Sequence, residues 1–214
     1  MGKFYGLFNP ENRFWRFMEK ITNLCVLGVL WFLFSLPVVT VGAATAALFG
    51  YTLKLWSDEE GYIWKGFWRG FKENFRQATL VWLGMLILGG LLVLDFYIYR
   101  YLAVGRTVKI VLFFALVSVG IVFLLTSLYV FPLIAYFRLP LRKVVPHAFI
   151  MSMGNLFVSV TNLVIYGIAA FLSSLMPAVF MVWFAIASYF ASGFYRSVFE
   201  KYLPEDEKNM GISQ

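Results

Sequence analysis

Three long stretches of the chain carry no charged residue: Ile21 to Leu53, Ile110 to Phe137 and Ala148 to Tyr195, of 33, 28 and 48 residues. A fourth, Ala78 to Leu94, has 17. An α-helix rises about 1.5 Å per residue and the hydrocarbon core of a bilayer is about 30 Å thick, so roughly 20 apolar residues make one crossing. The first and last of the long stretches must therefore each fold back once. LPVVTVG, with Pro37 and Gly42, marks the first fold-back point, and SSLMP, residues 173 to 177, the second. Proline removes a backbone donor and glycine tolerates turn geometry. Six spans follow, at approximately 21–37, 43–57, 78–98, 109–134, 155–174 and 177–196. The second reaches only about 22 Å, which fits either a tilted crossing of a thinned bilayer or a re-entrant half-helix shielded by its neighbours.

The polar positions between these runs are also patterned. In YIWKGFWRGFKENFRQ, Ile63, Phe67, Phe71 and Phe75 recur every four residues with Trp64 and Trp68 alongside, while Lys65, Arg69, Lys72 and Arg76 occupy another face. This predicts an amphipathic helix lying in the membrane interface, its cations reaching phosphates and its rings at headgroup level. NPENRFWRFMEK repeats the motif, including the tripeptide Phe-Trp-Arg, ahead of the first span; LRKVVPHAFIMSMGN is a weaker instance ahead of the fifth. The expected fold is all-α: a polytopic membrane protein with three units of interfacial helix plus helical hairpin. One domain is expected over 1–203, with an exposed tail over 204–214. Trp15, Arg16, Trp68, Arg69, Phe71 and Asn74 are the candidate interfacial or partner-docking residues. They either anchor the bundle or form a cytoplasmic platform for a partner.

Composition agrees with a membrane protein: 61% of residues are hydrophobic and 14% charged, against about 25% charged in a soluble domain. The 18 Lys+Arg against 11 Asp+Glu fall in short groups between apolar runs, which suits anionic lipid headgroups and argues against nucleic acid. With a cytoplasmic N-terminus, 15 of those cations lie inside and only Arg100, Arg106 and Lys109 outside, which predicts a multi-pass membrane protein with both termini cytoplasmic. VGAA resembles a signal-peptide cleavage site, but the long aromatic leader with Glu11 and Glu19 does not suit a signal peptide. Cys25 is the single cysteine and can form no intrachain disulfide.

Candidate chemistry is sparse. No span holds a charge near its middle, which argues against a proton relay or charge-coupled transport. Asp95 lies near the outer interface, where an ion pair with Arg100 or Arg106 is expected in preference to a substrate site. Asn155, Ser159, Asn162 and Tyr166 share one helix face in the fifth span, as interhelical glue first and a polar groove second. Small residues at four-residue spacing, Gly42, Ala46 and Gly50, then Ala187 with Ala191 and Ser188 with Ser192, predict close helix contacts. His147 has no triad around it, there is no GxxxxGK[ST] phosphate loop, and metal ligands are too few for a zinc site. Asp58, Glu59 and Glu60 read as a solvated loop. The chain is expected to be no enzyme and to need no cofactor.

FNPENRFWRFMEKITNL, LPVVTVGAATAAL and WKGFWRGFKENFRQATLVWL resemble the YesL family of small bacterial membrane proteins of unknown function. The resemblance spans nearly the whole chain and is strongest over residues 7 to 85. The family is typical of Firmicutes and is often encoded near carbohydrate ABC importers and polysaccharide-degrading enzymes. It brings no catalytic residues. The resemblance implies an accessory membrane protein whose partners are lipids and the permease subunits of such an importer; the alternative is a small autonomous channel or transporter for a polar solute.

Overall fold

The computed structural model describes residues 13–59, 61–102, 105–137 and 139–203, apart from the side chains of residues 13, 14 and 16. The tail expected over 204–214 lies outside them. Seven α-helices occur among the described residues: α1 (Arg13–Ser35), α2 (Val41–Trp56), α3 (Ile63–Tyr101), α4 (Arg106–Tyr136), α5 (Leu141–Gly154), α6 (Leu156–Leu175) and α7 (Phe180–Tyr202). There is no strand among these residues. Six helices are long and apolar enough to cross a membrane, α5 being the exception, so the all-α polytopic expectation holds.

Both fold-back points lie at a proline, and at the first a polar residue helps to close the turn. After Pro37 the chain makes a 3-10 turn over Val38–Thr40, and the Thr40 hydroxyl lies 2.6 Å from the Phe34 carbonyl and 2.8 Å from that of Pro37. That hydroxyl supplies a donor where α1 runs out of backbone N–H partners. Pro177 opens the equivalent turn, Pro177–Val179.

The interfacial helices differ from expectation. The stretch 63–76 and the third span are one unbroken helix, α3, whose 39 residues reach about 58 Å. Likewise α1 begins at Arg13 and runs into the first span without a break. Neither FWR copy therefore sits on a separate helix lying flat in the interface. A helix that turns from the surface into the bilayer needs a residue that interrupts it, and Glu73 to Thr79 contain neither proline nor glycine. Only the third instance is separate: α5 stops at Gly154, and Asn155, at φ −128° and ψ 56°, leaves helical geometry before α6.

The core is organised around α2. One face, with Ala43, Ala46, Phe49 and Leu53, joins a cluster holding Tyr129, Leu133, Tyr195 and Phe199. The other face, with Ala44, Ala47, Leu48, Tyr51 and Leu55, joins Leu24, Leu27, Leu30 and Phe67. α2 lies antiparallel along the first half of α3: Gly42 meets Ala78, Ala47 meets Gly70 and Tyr51 meets Gly66. The second half of α3 pairs with α4, Gly89 against Phe123 and Tyr99 against Phe113. The expected small-residue contacts are present. A Cβ on Gly42 would lie 2.6 Å from the Ala78 carbonyl oxygen, and an equally close approach that the spacing did not mark occurs at Gly28, 2.6 Å from the Met181 carbonyl oxygen.

These approaches are backbone on backbone, so no side chain can swing aside. Gly42→Ala should cost about 1–3 kcal/mol through overpacking and lower the detergent melting temperature. Gly84→Ala, at an exposed glycine with nothing within 4 Å, should leave that temperature unchanged or slightly raised. Equal tolerance of both substitutions would reject the close packing of α2 on α3.

Candidate functional site

The candidate residues lie on two surfaces, the polar seam inside the bundle and the outward face of α3. The seam starts at Asn155, whose Nδ2 donates to the Met151 carbonyl at 3.1 Å and the Tyr202 hydroxyl at 3.3 Å. One turn on, the Ser159 hydroxyl donates to the Ser152 carbonyl at 2.7 Å and lies 3.3 Å from the Tyr129 hydroxyl. Tyr166 places its hydroxyl 3.4 Å from Ser188 Oγ on α7. Ser192 continues the seam, donating to the Ser188 carbonyl at 2.7 Å and lying 2.8 Å from Thr52 of α2. Between Ser159 and Tyr166 stands Asn162, fully buried, with neither Nδ2 nor Oδ1 hydrogen-bonded to the protein.

The stripe expected on α6 thus faces three other helices. Its partners Tyr129, Tyr202 and Ser152 were not singled out by sequence pattern, because each is a lone polar residue without periodicity. One signal was available for a further buried hydroxyl, that of Tyr195. Pro132 inside α4 has no N–H, so the Leu128 carbonyl four residues earlier loses its helical donor. The Tyr195 hydroxyl fills that role at 2.9 Å. A proline in a span requires such a donor from elsewhere.

On α3, Phe67 is buried and Phe71 half-buried, and both rings pack on Phe34 of α1 at centroid distances of 5.5 and 5.0 Å. These two rings hold the helix to the bundle, so Phe71 faces inward. Trp64 and Trp68 also touch the Phe34 ring, at centroid distances of 6.4 and 5.7 Å, but stay 58% and 43% exposed, with their rings parallel and 6.5 Å apart. Lys65, Arg69, Lys72 and Arg76 are exposed beside them. Asn74 donates to the Gly70 carbonyl at 3.0 Å, a bond within its own helix. Trp15 is exposed on α1, and the Arg16 side chain lies outside the described residues.

The expected ion pair at the outer end does not form: Asp95 and Arg100 are both exposed and neither takes part in a salt bridge among the described residues. Lys109 instead sits over the Tyr99 ring, 5.7 Å from its centroid. The acidic loop, in contrast, is engaged. Asp58 pairs with Lys20 at 2.6 Å, and Glu59 lies 3.8 Å from Arg196, which also binds Glu200 at 2.8 Å. Asp58 adopts φ 55°, and the Glu59 N–H bonds the Lys54 carbonyl at 3.0 Å, closing the end of α2 as glycine often does. His147 is occupied locally, its Nδ1 lying 2.7 Å from the Lys143 carbonyl. No cluster of metal-ligating side chains occurs among the described residues.

Residues 24–96 match the family described as "Protein of unknown function, DUF624". The uncharacterized protein YteU of Bacillus subtilis (strain 168) is 26% identical over 171 residues, covering 78% of this chain and 76% of that protein. The uncharacterized protein YesL of the same organism is 28% identical over 144 residues, covering 65% of this chain and 66% of that one. No solved structure matches. The outward face of α3 lies wholly inside the matched stretch 24–96, and the α6 stripe lies outside it.

Two expectations follow from this geometry. Tyr195→Phe should cost about 1–3 kcal/mol by orphaning the Leu128 carbonyl, and Pro132→Ala, which restores an N–H to that carbonyl, should recover part of the loss in detergent melts. Independent losses in the double variant would contradict the bond's role. In single-tryptophan variants, Trp64 and Trp68 should be quenched more by headgroup-level probes than by bilayer-centre probes. The opposite order would place the cationic face of α3 in hydrocarbon and defeat the interfacial assignment.

Proposed function

We propose that this YesL-like membrane protein is a non-enzymatic accessory protein, associating with the permease subunits of a carbohydrate ABC importer or aiding their assembly. The observation that carries the reading is the division of labour on α3. Phe67 and Phe71 are withdrawn against Phe34 of α1, while Trp64 and Trp68 touch that ring with one side and leave the other exposed beside four exposed cations. Exposed tryptophan beside arginine is the composition that interface anchors favour, and lipid headgroups take the same face where no partner sits. The importer is named because genes of the YesL family stand beside such systems. A small channel for a polar solute is the second reading, favoured by Asn162, whose amide is buried without a protein partner. The cell membrane with both termini cytoplasmic is the placement that the distribution of Lys and Arg supports.

Mild-detergent purification from the native host should recover a sugar-importer permease subunit, and Trp68→Ala with Arg69→Glu should abolish that recovery without lowering the melting temperature. Recovery of no permease, or recovery unaffected by the double change, would reject the accessory role. Flux of a polar solute by the purified protein alone in proteoliposomes would support the channel. For the topology, cysteines at Ser57 and Ser174 in a Cys25→Ser background distinguish the two faces. Ser57→Cys should resist a membrane-impermeant thiol reagent in intact cells and Ser174→Cys should react; the reverse pattern would invert the protein.

A further inference from the structure

We propose that Asn162 and Thr126 together bind a water molecule in the interior of the bundle, between α6 and α4. The two helices run antiparallel here: the end of α4, at Tyr136, and the turn before α6, at Asn155, both meet the C-terminal end of α7, at Phe199 and Tyr202. They touch through Ser159 and Tyr129, whose hydroxyls are 3.3 Å apart. Helical register carries that interface one turn further, three residues forward on α6 and three back on α4, to the level of Asn162 and Thr126. Both Asn162 polar atoms and the Thr126 hydroxyl are buried without a hydrogen-bond partner in the protein. They do not bond each other. The position is bracketed by bonded neighbours, Ser159 on one side and Tyr166, with Ser188, on the other. The seam is interrupted at this one level of α6.

The chemistry selects the occupant. An asparagine amide both donates and accepts, and so does a threonine hydroxyl; a molecule that does both, small enough to lie between two packed helices, satisfies them together. Water is that molecule, and polar groups separated by more than hydrogen-bond distance in a protein interior are commonly joined by one. A cation such as Na⁺ would be held by oxygens alone and would leave Asn162 Nδ2 without an acceptor. The facing stretches of α4, α6 and α7 also carry no carboxylate to balance its charge. A bound water links the Ser159–Tyr129 contact to the Tyr166–Ser188 contact, so α4, α6 and α7 share one polar seam. The site stands apart from the accessory reading and holds whichever function is correct.

A double-variant cycle on the full-length protein in detergent tests this assignment. Asn162→Leu and Thr126→Val should each lower the melting temperature by about 2–4 °C, and the double variant should fall no further than the worse single, because the first change already expels the water. Asn162→Leu that melts at or above the native temperature would overturn the proposal, since an asparagine with no partner at all is improved by an apolar residue of similar volume. Additive losses in the double variant would overturn it equally. A melting temperature raised by NaCl but not by choline chloride at equal ionic strength would replace the water with a cation. If Asn162→Leu does not fold, radiolytic hydroxyl footprinting of the unaltered protein decides: oxidation of buried Tyr129 or half-buried Tyr166 at a rate near that of exposed Tyr62 supports internal water. Labelling of Tyr62 alone rejects it.

Discussion

Gly42 brings the backbone of α2 so near α3 that a single methyl group would lie 2.6 Å from both the Ala78 carbonyl oxygen and the Trp82 Cβ. The alanines that follow, 43, 44, 46 and 47, are all fully buried and keep the helix thin on two faces. In lipid there is no hydrophobic gain from joining two helices, so close backbone approach and van der Waals contact must hold them. α2 can therefore serve two clusters at once, one built on Leu48 and Phe67, the other on Phe49, Tyr129 and Tyr195. The Trp82 indole then reaches over the fold-back turn to donate to the Val38 carbonyl at 2.8 Å, fixing the level of α2 against α3. Its shortness follows from this position. A helix enclosed by protein does not need the full length of a lipid-facing span.

The seam on α6 depends on the same packing. Ser192 reaches Thr52 at 2.8 Å because α7 is built there from small buried residues, Ser188, Ala191 and Ser192, where larger side chains would separate the helices. Gly193 continues the approach, a Cβ there lying 2.5 Å from the Trp56 ring. Small residues thus do two things in this bundle: they admit neighbouring backbones, and they place short hydroxyls where a hydrogen bond can close.

Length and charge made the helices legible in the sequence, and proline made the turns legible. The ends of α1 and α6 lie where Pro37 and Pro177 require them. The amphipathic face of 63–76 was legible too, but not its continuity with the third span. Gly66 and Gly70 look like interruptions in a linear pattern, whereas in the fold they let Tyr51 and Ala47 lie against α3. The periodicity of Asn155, Ser159, Asn162 and Tyr166 disclosed a face and not its partners. Those partners come from α4, α5 and α7, and a pairing across helices has no local sequence signal. The Asp95–Arg100 pair failed for a related reason: proximity in sequence near a helix end does not turn two long side chains toward each other against the competition of solvent.

The continuity of α3 fixes where hydrocarbon can begin. Gln77 donates to the Leu139 carbonyl at 2.7 Å, Trp82 meets Phe131, Gly89 meets Phe123 and Tyr99 meets Phe113, so α3 and α4 are in register along the hairpin. The charge-free stretch Ala78 to Leu94 of α3, with the uncharged Gln77 before it, accordingly faces the charge-free stretch of α4 that begins at Ile110. Eighteen residues of helix rise about 27 Å, close to the thickness of a hydrocarbon core. Arg76 closes that window on one side and Asp95 on the other. Below Arg76 the same helix carries Lys65, Arg69 and Lys72 along the flank of α2, and exposed cations there demand a polar surrounding. The polar phase must therefore reach along α3 past the middle of α2, by headgroups, by water or by an acidic partner surface. A helix that ended its amphipathic face at a kink would escape this demand; an unbroken one cannot.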